Sequence, residues 1–207
     1  MNVTAIWQFD KRTSALALLC LGLCAHALFY VRSIIFAPEL YLGPSGADRV
    51  FYYAYARSLV IDHDLDFQND LAVKPPSSGM VLIGGKPHNK YPIGMPLLSL
   101  PFYAGAHLLL NGDGYSKAYV VAFALGQMTR CILGFVLLYL TLLRYFDPQL
   151  SSLATVSAMF GTPLLRFTGA DLMMSHAAAF FSLTWCFFEA SRLQTNETVA
   201  VVSLKRS

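Results

Sequence analysis

Charged side chains are scarce in this sequence. Asp, Glu, Lys and Arg together make up 13% of the 207 residues, whereas hydrophobic residues make up 56%. A soluble domain usually carries about a quarter of charged residues, so this chain has too few of them to cover a surface that faces water. The composition therefore excludes an ordinary soluble domain and predicts a protein held in a lipid bilayer by several apolar helices.

Cysteine pairs and clusters of basic residues are also lacking. The four cysteines fall within apolar stretches without a CxxC pair, so they are interpreted as small hydrophobic side chains in the membrane. The 15 Lys and Arg residues form no dense tract, which argues against a nucleic-acid partner. The chain also lacks internal repeats, and its length allows about one domain.

The hydrophobic residues that are present form long runs. Roughly 20 helical residues cross the hydrocarbon core of a bilayer. The first run could instead be a signal peptide, but apolar residues continue beyond the Ala25-His26-Ala27 triplet, so we expect a retained anchor. The fold class is an all-α, polytopic membrane helical bundle, with predicted spans at residues 14–37, 118–143, 150–166 and 175–191.

Basic residues near the span ends give the orientation. Four spans place Lys11-Arg12, Arg144 and a tail at 192–207 together in the cytoplasm, provided that the apolar segment 93–111, interrupted by two prolines, is an interfacial helix and not a fifth span. The polar segment 38–92 then forms an outer loop. It shares the non-cytoplasmic side with the turn that precedes the last span.

The outer loop contains the first candidate site. A juxtamembrane helix is predicted over 47–61, and it places Asp48, Tyr52 and Tyr55 on one face. Asp48 could take a proton from an acceptor hydroxyl or hold a divalent cation, or it could simply stabilise the helix N-terminus by about 0.3–1 kcal/mol. The two tyrosines could bind a sugar or a lipid head group, or anchor the helix at the interface.

Further candidates lie on the same predicted side. Lys90, before Tyr91-Pro92, could bind a phosphate or be an ordinary interfacial lysine. His176, with Asp171 five residues earlier, could face a membrane cavity or merely cap a helix. The acidic run 62–66 resembles the start of a calcium loop. It lacks the loop's glycine and its final glutamate, so a solvated turn is predicted.

Five short segments occur together in a recognisable order. They are DRVFYYAYARSL at 48–59, DHDLDF at 62–67, NKYPIG at 89–94, GTPLL at 161–165 and MSHA at 174–177. Together they resemble the N-terminal part of bacterial GT-C membrane glycosyltransferases, the relatives of protein mannosyltransferases and aminoarabinose transferases. Many relatives have Asp-Glu where this chain has Asp48-Arg49.

The resemblance implies transfer of a sugar from a polyprenyl-phosphate carrier to an envelope acceptor, on the outer face of the bacterial inner membrane. Asp48 would be the catalytic base or the metal anchor, although a divalent cation is not required. Lys90 or Arg57 would neutralise the departing lipid phosphate. The residues expected to bind substrate are Tyr52, Tyr55, Arg57, Lys90, Tyr91, Asp171 and His176.

Such enzymes usually carry eight or more spans, so the resemblance implies that this chain is an N-terminal part of one. Two alternatives remain open at this point. The chain could be a non-catalytic membrane remnant or an assembly partner of another envelope protein. It could also be a small transporter, but its ionisable groups gather in an outer loop instead of at mid-membrane.

Overall fold

A computed structural model describes residues 11–36, 47–73, 81–167, 171 and 173–204. The described chain is mostly helical, as predicted, and a π-helical turn at Ser58–Asp62 extends its second helix. The elements are α1 (Lys11–Phe36), α2 (Ala47–Arg57), α3 (Gln68–Val73), β1 (Val81–Ile83), β2 (Lys86–His88), α4 (Gly94–Leu110), α5 (Lys117–Leu142), α6 (Pro148–Phe160) and α7 (His176–Leu204).

Two of these helices are long and apolar enough to cross a membrane. They are Arg12–Arg32, within α1, and α5, while α4 is a shorter apolar helix. The predicted spans at 150–166 and 175–191 correspond to α6, which has 13 residues, and to the first part of α7. Helix α7 also continues through most of the predicted tail, as far as Leu204.

Helix α5 is the central element, and two helices pack along different halves of it. Along the first half, α4 runs antiparallel, because Ser99 contacts Gln127 while His107 contacts Tyr119. Along the second half, α7 runs parallel. Phe180 packs on Phe135 with 4.7 Å between ring centroids, and the Tyr145 hydroxyl just beyond α5 lies 3.4 Å from the side-chain oxygen of Gln194.

Helices α1 and α6 pack side by side and point in the same direction. Near their N-termini the Ser152 hydroxyl donates to the Ala15 carbonyl at 2.8 Å. Further along, the His26 ring stands edge-on to Phe160 and to Phe135 of α5, with centroid distances of 6.3 and 5.5 Å. Since α6 leaves the end of α5 and returns toward its middle, the directions of α1, α5, α6 and α7 alternate.

The turn between α4 and α5 fixes α2 over the first half of this bundle. The Tyr53 hydroxyl donates to the Gly114 carbonyl at 2.5 Å, and its ring packs on Tyr103 and Phe123, both at 5.4 Å. Gly114 has a φ of +86°, and a Cβ there would overlap the Tyr103 hydroxyl. Only glycine fits this position, so the turn and the tyrosine packing depend on each other.

The close approach of α5 and α7 at Gly134 gives a prediction. A Cβ on Gly134 would lie 2.8 Å from the Phe180 ring and 3.3 Å from the Phe181 Cα, so the helices would have to separate. We expect Gly134→Ala to lower the free energy of unfolding by about 1–3 kcal/mol, the usual range for overpacking. Thermal unfolding in detergent measures this. Gly105→Ala is the control, because a Cβ there meets nothing within 4 Å. An equal melting temperature for Gly134→Ala and wild type would contradict the prediction.

Candidate functional site

Three of the predicted site residues come together around a fourth, Tyr91. Asp48, in the first turn of α2, accepts a hydrogen bond from the Tyr91 hydroxyl. The Tyr52 ring packs on Tyr91 at 5.1 Å, and the Tyr55 hydroxyl donates to the Tyr91 carbonyl at 2.8 Å. The i, i+4, i+7 face of α2 is therefore turned toward the residue that precedes Pro92. Because Tyr52 is only 4% exposed, the two tyrosines of α2 hold Tyr91 in place and do not present open faces to a sugar.

Asn89 fixes the backbone that carries Tyr91, and the sequence did not single it out. Its side-chain nitrogen donates to the Phe51 carbonyl at 2.7 Å, and its side-chain oxygen accepts from the Tyr91 amide at 3.2 Å. The amide is buried, so these hydrogen bonds are formed where water does not compete. A polar residue just before the Lys-Tyr-Pro motif was the available signal.

The environment of Tyr91 keeps its hydroxyl protonated. Burial raises the pKa of Tyr91 to about 12, with the hydrogen bond to the Asp48 carboxylate as the next cause. The phenol therefore remains a hydrogen-bond donor to Asp48 throughout the physiological pH range. Lys90 is exposed beside it, with its ammonium 5.2 Å from the Tyr91 ring centroid. In the described part of the chain, no carboxylate lies within ion-pair distance of Lys90.

Asp171 reaches the same helical turn through a different residue. It forms an ion pair with Arg49, the neighbour of Asp48, and the two side chains are 18% and 15% exposed. The pair joins the segment that follows α1 to the segment that precedes α7. Arg49 was absent from the predicted site because an isolated arginine beside Asp48 indicates no partner in the sequence.

An apolar groove of about 510 Å³ begins next to Tyr91. The first turns of α4 and α7 form its two walls, and the side chains along it include Pro92, Met95, Leu98, Ser175 and Ala178. The His176 ring lies against Phe167, 4.0 Å between centroids, at the start of α7. His176 is thus next to the groove, whereas no contact joins it to Asp48 within the described residues.

Arg57 belongs to a separate cluster. Its guanidinium donates to Asp62 at 2.5 Å, to Asp70 at 2.9 Å and to the Asp113 carbonyl at 2.8 Å. The Tyr115 hydroxyl also donates to Asp70, at 3.2 Å, and the Arg57 guanidinium lies 4.7 Å from the Tyr115 ring centroid. These contacts tie α2 and α3 to the turn between α4 and α5. The structure therefore engages Arg57 in packing these elements and does not bring it to Asp48.

The acidic run after α2 forms a local turn, as predicted. Asp64 accepts from the Ser58 hydroxyl at 2.9 Å and from the Asp66 amide at 3.1 Å, while Asp66 accepts from the Gln68 amide at 3.1 Å. Throughout the ranges that the structure describes, no group of three or more His, Cys, Asp or Glu side chains is placed to hold a metal ion. The Asp64 and Asp66 carboxylates accept from neighbouring backbone amides, whereas Asp62 accepts from the side chains of Arg57 and Asn69.

The Arg57 cluster predicts a pH-dependent stability change. Burial raises the pKa of Asp70, and Arg57 acts in the opposite direction. In Arg57→Gln the folded-state pKa of Asp70 should rise further. A carboxyl whose pKa is higher in the folded than in the unfolded state makes the folded state less stable as the pH increases. We expect Arg57→Gln to lower the free energy of unfolding by about 3 kcal/mol at pH 8 and by less at pH 5, as measured by thermal unfolding. The control is Lys86→Gln, whose ion pair with Asp66 is exposed. Equal losses at both pH values would argue against a buried Asp70 charge.

The ion pair between Arg49 and Asp171 predicts rescue by charge exchange. Arg49→Asp places two carboxylates side by side and should lower the melting temperature, as should Asp171→Arg with two cations. The double variant restores opposite charges, so its melting temperature should return most of the way to wild type. Losses that simply add in the double variant would show that the two segments are not in contact.

The chain has no match among protein family models, among curated proteins or among solved structures.

Proposed function

We propose that the chain is a GT-C-type membrane glycosyltransferase, or the N-terminal part of one, which transfers a sugar from a polyprenyl-phosphate carrier to an envelope acceptor. One observation carries the proposal. The carboxylate of Asp48 accepts a hydrogen bond from Tyr91, the neighbouring residue Pro92 lines an apolar groove, and the exposed Lys90 lies beside the same tyrosine. This arrangement offers a base, a cation and a path for a lipid chain.

In this proposal α1, α5, α6 and α7 cross the bacterial inner membrane as four spans. Their alternating directions suit successive crossings, and the Arg49–Asp171 pair suits an outer loop that meets the turn before α7. Helix α6, at about 1.5 Å per residue, covers only part of a bilayer, so the apolar residues that follow it or a local thinning of the membrane would complete the crossing. Helix α4, which runs along α5, would enter the outer leaflet with it.

Asp48 would act as the general base. As the acceptor hydroxyl attacks the anomeric carbon of the sugar, its proton passes to Asp48, the new glycosidic bond forms and the bond to the carrier phosphate breaks. Tyr91 would hold the carboxylate toward the acceptor by its hydrogen bond. A base fits this donor set better than a metal anchor, since Arg49 occupies the position of a second carboxylate and is paired with Asp171.

The departing polyprenyl phosphate would be stabilised by positive charge around the groove. Lys90 lies next to Tyr91 and supplies a full charge. The N-termini of α4 and α7 both lie at the groove, and each helix N-terminus carries a partial positive charge that favours a phosphate. The isoprenoid chain would follow the apolar walls between Met95 and Ala178.

Replacing Asp48 by Asn tests this mechanism. Loss of a general base typically lowers a rate by 10²–10⁴-fold, so we expect Asp48→Asn to release polyprenyl phosphate at least about a hundredfold more slowly than wild type. The assay uses proteoliposomes containing polyprenyl-phosphate-linked glucose, mannose or aminoarabinose, with an envelope extract as acceptor. Asp66→Asn, in the exposed turn, is the matched control.

Two outcomes would contradict the proposal in different ways. Unchanged release by a correctly inserted Asp48→Asn protein would remove Asp48 from the mechanism. No release from any donor by the wild-type protein would contradict catalysis by this chain and would favour a non-catalytic membrane remnant or an assembly partner.

A further inference from the structure

A second groove, of about 320 Å³, lies between α5 and α7 toward the C-terminal end of α5. Its two walls are formed by these helices and by the residues just after α5. The side chains that define it include Leu138, Thr141, Tyr145, Thr184, Phe187 and Gln194. None of these residues takes part in the site around Asp48, so the groove has no role in the proposed transfer.

The threonine hydroxyl groups in the walls of this second groove are hydrogen-bonded within their own helices. The Thr141 hydroxyl donates to the Leu137 carbonyl at 2.8 Å, and the Thr184 hydroxyl donates to the Phe180 carbonyl at 2.9 Å. Both hydroxyl donors are therefore satisfied within their own helices. Polar atoms are found mainly at one end, where Tyr145 meets Gln194.

Two arginines lie near that polar end. The guanidinium groups of Arg144 and Arg192 lie 5.3 and 5.9 Å from the centroid of the Phe188 ring, next to Phe187 of the groove. Arg192 is paired with Glu189 at 3.3 Å. Arg144 lies within ion-pair distance of no carboxylate in the ranges that the structure describes. Arg144 also directly precedes Tyr145, which lines the polar end of the groove.

We propose that this groove binds an anionic phospholipid of the cytoplasmic leaflet. One acyl chain lies between Leu138 and Phe187, and the head-group phosphate is bound by Arg144 with the Tyr145 hydroxyl as a second donor. The candidate span ends at Leu142, which puts Arg144 at the level of the lipid head groups. Basic pockets between transmembrane helices on the cytoplasmic side bind anionic head groups in this way. The inference rests on the proposed orientation and is independent of the transferase chemistry.

The test compares lipids that differ only in head-group charge. The full chain in a neutral detergent is mixed with phosphatidylglycerol, with phosphatidylcholine of the same acyl chains, or with soluble glycerol phosphate, and native mass spectrometry measures the bound fraction. One arginine at the head-group level favours an anionic lipid about fivefold, so we expect that preference in wild type and its loss in Arg144→Gln. Glycerol phosphate alone should bind poorly, because it lacks the chain that the groove accommodates.

Matched variants keep the result decisive. Lys117→Gln removes an exposed cation from the opposite end of α5 and should leave the preference unchanged, while Arg144→Lys should retain most of it. Ala190→Phe fills the groove, which Ala190 lines, and should reduce binding of both lipids at least about fivefold.

Equal binding of the two lipids by wild type, or full binding by Ala190→Phe, would overturn the proposal. A reporter fused after Leu204 tests the orientation separately, so a reversed topology is distinguished from a groove that binds no lipid.

Discussion

The first turn of α2 is the constraint on which the site depends. Two consecutive residues there bind segments that are far apart in sequence. Asp48 contacts Tyr91, three residues before α4, and Arg49 contacts Asp171, five residues before α7. Those two segments begin the opposite walls of the apolar groove. A single helical turn therefore sets both the position of the carboxylate and the separation of the walls beside it. Neither contact could shift without moving the other, because the two side chains leave the same rigid turn.

Under the proposed function, Arg49 stands where many GT-C glycosyltransferases have a glutamate, so its partner bears on the role of Asp48. An arginine beside an aspartate would normally be expected to pair with it. Here the guanidinium is directed to Asp171, and the Asp48 carboxylate accepts from the neutral phenol of Tyr91. Two adjacent residues of opposite charge thus each contact a different segment, and Arg49 contributes to the architecture through its ion pair with Asp171.

The sequence predicted the parts of this arrangement that depend on local periodicity. The spacing of Asp48, Tyr52 and Tyr55 identified the helical face that contacts Tyr91, but the sequence did not show that this face would meet the motif around Lys90. The sequence could not show that Arg57 is engaged by Asp62 and Asp70, because that cluster is completed by the turn between α4 and α5. Nor could hydropathy predict how far α7 extends, since it detects apolar residues and α7 continues through a polar segment.

The different partners of the two halves of α5 account for both grooves. Helices α4 and α7 both begin near the middle of α5 and run toward its opposite ends. Their N-termini therefore meet there and leave the first groove between them. Behind the α4 wall, Arg130 donates to the Gly126 carbonyl at 2.5 Å and to the Ser99 hydroxyl at 3.3 Å. An arginine within an apolar helix is costly unless its donors are satisfied. The Ser99 hydroxyl belongs to α4, so this contact also fixes the register of α4 on α5. The position of the first groove thus follows from a polar contact, whereas the second opens where α5 ends and α7 continues alone.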